Sequence, residues 1–155
     1  MKPFRKILVP VDISNEARPA IDMAAGLARR YEASVDLFHV WQPPALMPAQ
    51  LLVMPAAGGS PQVASEVAQG IAQARLHELA DEVHKEGVGQ VRCHVGVGDP
   101  AHDICELATK GGFDLIVMAT HGRTGLAHAF LGSVTEKVLR HAPCPVLVVR
   151  GATAG

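Results

Sequence analysis

The chain has 155 residues, of which 48% are hydrophobic, 19% charged and 4% aromatic, so it is long enough for one domain with an aliphatic core. Fourteen Lys and Arg residues against fifteen Asp and Glu residues give a net charge of −1, which argues against nucleic acid or an acidic membrane as a partner. Three cysteines at no repeating spacing argue against a disulfide framework, and no apolar run reaches the roughly 18 residues of a membrane span, so we expect a cytoplasmic protein.

Apolar runs typical of buried strands alternate with helical patterns in the first half of the chain. Residues 7–11 predict the first strand, and Ser14 is a candidate cap for the helix that follows. Pro19 lies at or just beyond the first turn of that helix, which favours a start later than Ser14. A second strand is predicted for residues 35–41. A long helix is predicted for about residues 61–86, with an apolar stripe made of Val63, Val67, Ile71, Ala74, Leu79 and Val83.

The same alternation continues after this helix. Residues 91–97 carry alternating apolar and polar side chains, which predicts a strand. Asp99 followed by Pro100 is a strong helix start, because a capping carboxylate precedes a proline at the first helical position. This helix is expected to end at the two glycines 111–112, and residues 113–119 predict a central strand.

One more helix and one more strand complete the pattern. Ser133 and Glu136 have the spacing of a capping box, which predicts a helix that opens at Ser133. Residues 145–149 predict the fifth strand. Five strands separated by four helical crossovers predict a single doubly wound, Rossmann-like α/β domain with a five-stranded parallel sheet.

One long connection interrupts this regular order. Residues 43–61 contain five of the eleven prolines together with Gly58 and Gly59. A connection of this length in a small domain is usually functional or disordered. Two interpretations stay open, a mobile excursion and a lid over a ligand site.

The residues that follow the strands predict a ligand site. In doubly wound sheets, ligands bind beyond the carboxyl ends of the strands, where the strand order reverses. Asp12 follows the first predicted strand, residues 120–125 follow the fourth, and Gly132 and Ser133 open the last helix. Glycines and a helix N-terminus favour a bound anion, and residues 119–150 carry four Lys and Arg against one Glu. The pattern therefore indicates a phosphate site.

Three motifs give the chain a family resemblance. Met118–Gly122 is followed after nine residues by Gly132–Val138 and then by Ala142–Val149. Together with the opening residues 7–12 and the turn at residues 98–100, these motifs resemble the universal stress protein family over residues 4–150. The resemblance implies an adenine nucleotide alpha-hydrolase-like fold.

The ATP-binding branch of that family has a pattern of glycine, two residues, glycine, nine residues, glycine and then Ser or Thr. This chain has Ala119 at the first glycine and matches at the other positions. The resemblance implies that Asp12 holds the ribose or the adenine edge and that main-chain groups near Ser133 hold phosphates. Alternatives stay open, in which Asp12 and Ser133 only cap local structure and Arg123 is a solvated loop residue. The full implied set is Pro10, Val11, Asp12, Val40, Met118, Ala119, Gly122, Arg123, Gly132, Ser133, Val134 and Thr135.

The implied ligand is ATP, ADP or AMP, with or without Mg²⁺, and the implied role is a stress-responsive regulatory homodimer paired through residues 145–150. Two rival functions stay open, a dimeric interaction module without nucleotide and a slow ATP hydrolase or phosphotransfer enzyme. Residues 96–98 begin like a dinucleotide fingerprint, but the carboxylate of Asp99 would oppose a pyrophosphate. We expect no catalytic residues, no metal site, no nucleic acid and no membrane partner, while the downstream protein partner stays open.

Overall fold

The computed structural model describes residues 3–120 and 131–150. Within these residues the strands are β1 (Lys6–Pro10), β2 (Ser34–Trp41), β3 (Leu52–Val53), β4 (Gln62–Val63), β5 (Val91–Val97), β6 (Leu115–Ala119) and β7 (Val146–Val149). The α-helices are α1 (Arg18–Tyr31), α2 (Ala64–Lys85), α3 (Pro100–Lys110) and α4 (Ser133–His141). None of these helices is long and apolar enough to cross a membrane.

Five of the strands form one parallel sheet in the order β5-β2-β1-β6-β7. One apolar cluster lies between the sheet and α1 and α2, and a second lies between the opposite face and α3 and α4. This arrangement confirms the predicted doubly wound, Rossmann-like fold with five parallel strands and four helices. The chain leaves β1 toward β2 on one side and later returns to β6 on the other, so the strand order reverses between β1 and β6.

The start of α1 confirms the interpretation of Pro19. Ser14 caps a single 3₁₀ turn over Asn15–Ala17, where its Oγ accepts a hydrogen bond from Glu16 N at 3.4 Å. The α-helix begins only at Arg18, which leaves Pro19 within its first two positions, where no intrahelical N–H is required.

The prediction for α2 was wrong in its start and in part of its buried face. The helix begins at Ala64 because Val63 pairs with Leu52 in the short β3–β4 hairpin, whose second strand directly follows the 43–61 connection. Ile71 is 59% exposed and Ala74 is exposed, whereas the buried α2 residues are Ala72, Leu76, Leu79 and Val83.

Contacts with α1 and the turn before it show where α2 lies along the sheet. Arg75 of α2 donates to Asn15 Oδ1 at 3.3 Å, just before α1 begins at the carboxyl edge of the sheet. Arg18 at the start of α1 pairs with Glu82 and Glu86 near the end of α2. The first turns of α2 extend beyond the carboxyl edge. Ala72 is 1% exposed beside the exposed Ile71, so the buried face of α2 is the one that carries Ala72, Leu76, Leu79 and Val83 at helical spacing.

The start of α3 allows a stability prediction. The Asp99 carboxylate accepts a hydrogen bond from His102 N at 3.0 Å, and Pro100 follows as the first helical residue, as predicted. Asp99→Ala should lower the free energy of unfolding by about 1 kcal/mol, because one N-terminal amide loses its cap. Urea titration would measure this change. Asp22→Ala, which removes only an exposed ion pair with Arg18, is the control, and an equally small loss for both variants would contradict the cap.

Candidate functional site

The carboxyl ends of β1 and β6 are not paired with each other, and we call the gap in the strand pairing at this edge the β1–β6 crevice. The two strands pair only at Ile7↔Leu115 and Leu8↔Ile116, whereas β1 and β2 stay paired as far as Pro10. Lys6 O accepts from Asp114 N at 3.1 Å, and by alternation the main chain of Pro10 lies on the same side of β1. Proline has no N–H to donate to β6, so the ladder cannot continue there. The crevice therefore lies where the strand order reverses.

Asp12 lies directly beyond β1 at the mouth of this crevice. It is half-buried, and its Oδ1 accepts a hydrogen bond from Ser14 N at 3.2 Å. One oxygen of the Asp12 carboxylate therefore caps the local turn, which is one of the two roles considered for this residue.

The N-terminus of α4 is tied to the end of β6. Gly132 N donates to Thr120 O at 2.9 Å, and the buried Thr135 hydroxyl donates to Ala119 O at 3.1 Å. These two bonds fix the start of α4 beside the carboxyl end of β6. Gly132 is the N-cap of α4, so Ser133 is the first helical residue and the predicted capping by Ser133 was wrong. The Glu136 carboxylate instead pairs with Arg140 at 2.7 Å.

This helix end presents main-chain donors. The first bond within the helix runs from Glu136 N to Gly132 O at 3.0 Å. The amides of Ser133, Val134 and Thr135 therefore have no partner within the helix, and the helix dipole adds partial positive charge at the same place. The Gly132 amide, in contrast, is used by Thr120. Three consecutive amides at a helix N-terminus next to the crevice form a site suited to an anion.

The other predicted site residues fall into three groups. Ala119 ends β6, and the non-glycine residues with positive φ in the described ranges are Glu32 and Leu46, so alanine causes no backbone strain at this position. The side chain of Met118 lies in the second apolar cluster and is 5% exposed. Val40 is the second-last residue of β2, near the carboxyl edge of the sheet. Gly122 and Arg123 lie outside the described residues.

One of the four basic residues between 119 and 150 lies away from the N-terminus of α4. Arg140 is paired with Glu136 and lies in the last turn of α4, away from the crevice. The main-chain amides supply partial positive charge at the start of α4. At the neighbouring helix α3, the Asp99 carboxylate occupies the N-terminus, which agrees with the rejection of a dinucleotide fingerprint at residues 96–98.

Sequence reasoning missed one residue at this edge. His39, near the end of β2, lies with Nδ1 2.8 Å from Val11 O, so it links β2 to the residue before Asp12. It is one of eight histidines, and no motif distinguishes it from the others. Its place near the end of a predicted strand was the one available signal.

A group of metal-ligating side chains lies elsewhere. His102, Asp103 and Glu106 of α3 have ligand atoms within 4.8 Å of one another. Glu106 is already paired with Lys110 at 2.7 Å, and this pairing lowers the pKa of the Glu106 carboxyl. The group is mostly exposed.

The cysteines are poorly suited to nucleophilic chemistry. Burial raises the pKa of the Cys93, Cys105 and Cys144 thiols, and nearby Asp81 and Asp114 add to the effect at Cys93 and Cys144, respectively. A raised pKa leaves less thiolate at neutral pH. We therefore expect dithionitrobenzoate to react with the folded protein at least about tenfold more slowly than with the chain in guanidinium. A thiol that reacts equally fast in both states would contradict this expectation.

The sequence is similar to known proteins over nearly its whole length. Residues 3–150 match the sequence profile of the Universal stress protein family. Universal stress protein MJ0531 of Methanocaldococcus jannaschii is 35% identical over 149 residues, which cover 95% of this chain and 82% of that protein. Universal stress protein YxiE of Bacillus subtilis is 33% identical over 164 aligned positions, which cover 95% of this chain and 99% of that protein.

Solved structures show the same fold. Universal stress protein UspA from Lactobacillus plantarum superposes with a TM-score of 0.77 at 26% identity, covering 97% of this chain and 100% of that one. A universal stress protein in complex with cAMP has a TM-score of 0.70 at 23% identity, covering 97% and 100%. A universal stress protein from Archaeoglobus fulgidus in complex with dAMP has a TM-score of 0.64 at 23% identity, covering 95% and 98%. By sequence profile, relatives and fold, the chain belongs to the universal stress protein family.

Proposed function

We propose that this protein binds ATP or a related adenine nucleotide at the β1–β6 crevice and acts as a stress-responsive regulator. The observation that carries the proposal is the row of amides at Ser133, Val134 and Thr135 that have no partner within α4, beside a crevice at the point where the strand order reverses. The family members solved with cAMP and dAMP support an adenine nucleotide as the ligand.

The residues take different parts in this proposal. The amides of Ser133 and Val134 and the Ser133 hydroxyl hold phosphates, together with the backbone of Gly122. Asp12 holds the ribose or the adenine edge. Pro10, Val11 and the main chain near Val40 line the base, and Met118 and Ala119 flank the phosphates. Arg123 and Thr135 are the remaining residues of the proposed nucleotide-binding set. If the ligand is ATP, we propose that it binds together with Mg²⁺ at the phosphate end of the site.

We propose that the protein regulates through a conformation that the bound nucleotide stabilises. Segment 43–61 leaves the carboxyl edge after β2 and returns into the first turns of α2, which extend beyond that edge. We propose that this segment closes over the nucleotide. Hydrogen exchange of residues 43–61 should then slow when ATP is added, and exchange that ATP leaves unchanged would contradict a lid.

A homodimer through residues 145–150 is the second part of the proposal. Strand β7 lies at an edge of the sheet and consists of Val146, Leu147, Val148 and Val149, without a charged residue. The opposite edge strand, β5, carries Arg92 and His94. Because exposed strand edges are normally protected by charge, cover or pairing, the apolar β7 edge favours pairing with a second copy.

The proposed ligand can be tested on the purified protein. Denaturation should release an adenine nucleotide detectable by mass spectrometry, and calorimetry should show saturable binding of ATP, ADP or AMP to the protein after the nucleotide has been removed. GTP is the control for the base. No released nucleotide and no heat at millimolar ATP would refute the proposal, and turnover of ATP that depends on Asp12 would instead favour an enzyme.

A further inference from the structure

The hydrogen-bond ladder between β1 and β2 ends in an unusual way. Ser34 N donates to Arg5 O at 2.9 Å at one end of the ladder, and Val11 N donates to Phe38 O at 2.8 Å near the other. The even-numbered residues of β2 therefore use their main-chain groups to bond β1. Continuing this parallel pattern, the next bond would run from Val40 N to Val11 O.

That next bond is absent from the described residues, and a side chain takes its place. Val11 O lies 2.8 Å from Nδ1 of His39. A carbonyl oxygen only accepts, so the His39 Nδ1 carries the proton and donates it. The imidazole of His39 thus satisfies the acceptor that the Val40 amide would otherwise bond.

The strand on the other side does not use the Val40 amide either. Val35 N donates to Gln90 O at 2.9 Å, and Gly98 N donates to Trp41 O at 3.1 Å. The odd-numbered residues of β2 therefore bond β5, which leaves Val40 on the side of β1. The Val40 N–H lies at the carboxyl edge, next to the residue that precedes Asp12, without a main-chain partner in either neighbouring strand.

We propose that His39 is a positioning residue for ligand binding. By donating to Val11 O, it keeps the Val40 N–H available for an acceptor atom of the ligand, such as a ring nitrogen of an adenine base. The inference rests on the proposed nucleotide function and assigns to His39 the task of preventing the ladder from closing. An unbonded N–H at this edge gains a partner when a base binds, and that gain favours binding.

The test compares two substitutions at His39. His39→Leu removes the donor, so the Val40 amide is free to bond Val11 O and close the ladder. His39→Asn keeps an N–H close to the place of Nδ1. His84→Leu is the matched control, because His84 Nδ1 lies 2.9 Å from Val88 O in a similar side-chain bond after α2, remote from the carboxyl edge.

The first measurement needs no ligand. Amide hydrogen exchange followed by NMR should show that Val40 exchanges faster than Val11 in the wild-type protein, because the Val11 amide is bonded to Phe38 O. In His39→Leu the Val40 amide should exchange about tenfold more slowly than in the wild type, and in His39→Asn it should not change. Equal Val40 exchange in the wild type and His39→Leu would overturn the inference, whether or not the protein binds a nucleotide.

The second measurement is the dissociation constant for ATP. His39→Leu should weaken binding on the order of tenfold, which is the effect of about one neutral hydrogen bond. His39→Asn and His84→Leu should stay within about twofold of the wild type. Unchanged affinity in His39→Leu, or an equal loss in His39→Asn, would overturn the inference. If the wild type itself binds no nucleotide, the proposed function fails, and the exchange of Val40 still decides whether His39 holds the ladder open.

Discussion

Val148→Pro is expected to convert the proposed dimer into a folded monomer. Ile116 N donates to Pro145 O at 3.0 Å and Thr120 N donates to Val149 O at 3.0 Å, so the odd-numbered residues of β7 bond β6. By alternation, the N–H of Val148 lies on the open edge of the sheet. Proline at residue 148 therefore removes a donor that a second copy would use and no bond among residues 3–120 and 131–150.

Sedimentation velocity is the measurement for this variant, with circular dichroism to verify the fold. Val148→Ala is the matched control, because alanine keeps the N–H and should leave the dimer intact. A dimer that survives Val148→Pro at the same protein concentration would place the interface elsewhere. Loss of the dimer in both variants would mean that the Val148 side chain, rather than edge pairing, holds the two copies together.

The second large effect is expected from the start of α4. The double substitution Gly132→Val with Ser133→Ala should weaken ATP binding on the order of a hundredfold or more, because a branched side chain covers the approach to the amides and the Ser133 hydroxyl is lost. Gly132 has φ −58° and ψ 153°, a conformation that valine adopts without strain. The fold and the bond from Gly132 N to Thr120 O should therefore persist.

Calorimetry with ATP measures this loss, and thermal unfolding verifies that the double variant is folded. Gly89→Val is the matched control, since it adds the same side chain in the turn before β5, where an added Cβ meets no atom within 4 Å. Unchanged ATP affinity in a folded double variant would show that ATP does not bind at the start of α4. An equal loss in Gly89→Val would show that the effect is general destabilisation.

Local chemistry was enough to predict most of the fold. Residues 91–97 form β5 with the predicted bounds, and the Asp99 cap and the start of α3 at Pro100 lie where the sequence indicated. Such features depend on side-chain alternation and on hydrogen bonds between residues three apart, which the sequence records directly. The alternation of strands and helices then restricts the topology, because parallel strands need crossovers of one hand.

The same local reasoning placed the candidate site at the carboxyl edge. Asp12 follows the first predicted strand and Gly132 precedes the last predicted helix. The structure brings both residues to the edge where the strand order reverses. Their roles toward a ligand stay predictions, which the double substitution at Gly132 and Ser133 addresses for the phosphate end.

Three features were decided only by tertiary structure. Ile71 fits an apolar stripe but is 59% exposed, because the neighbouring Ala72, which is 1% exposed, lies on the face of α2 that is buried. Ser133 fits a capping box, yet Gly132 takes the N-cap position while its amide bonds Thr120 O. His39 belongs to no motif, and its contact with Val11 O depends on the register of β1 against β2. Sequence patterns record the periodicity of one element at a time, whereas these features depend on which element lies beside another and how far each extends.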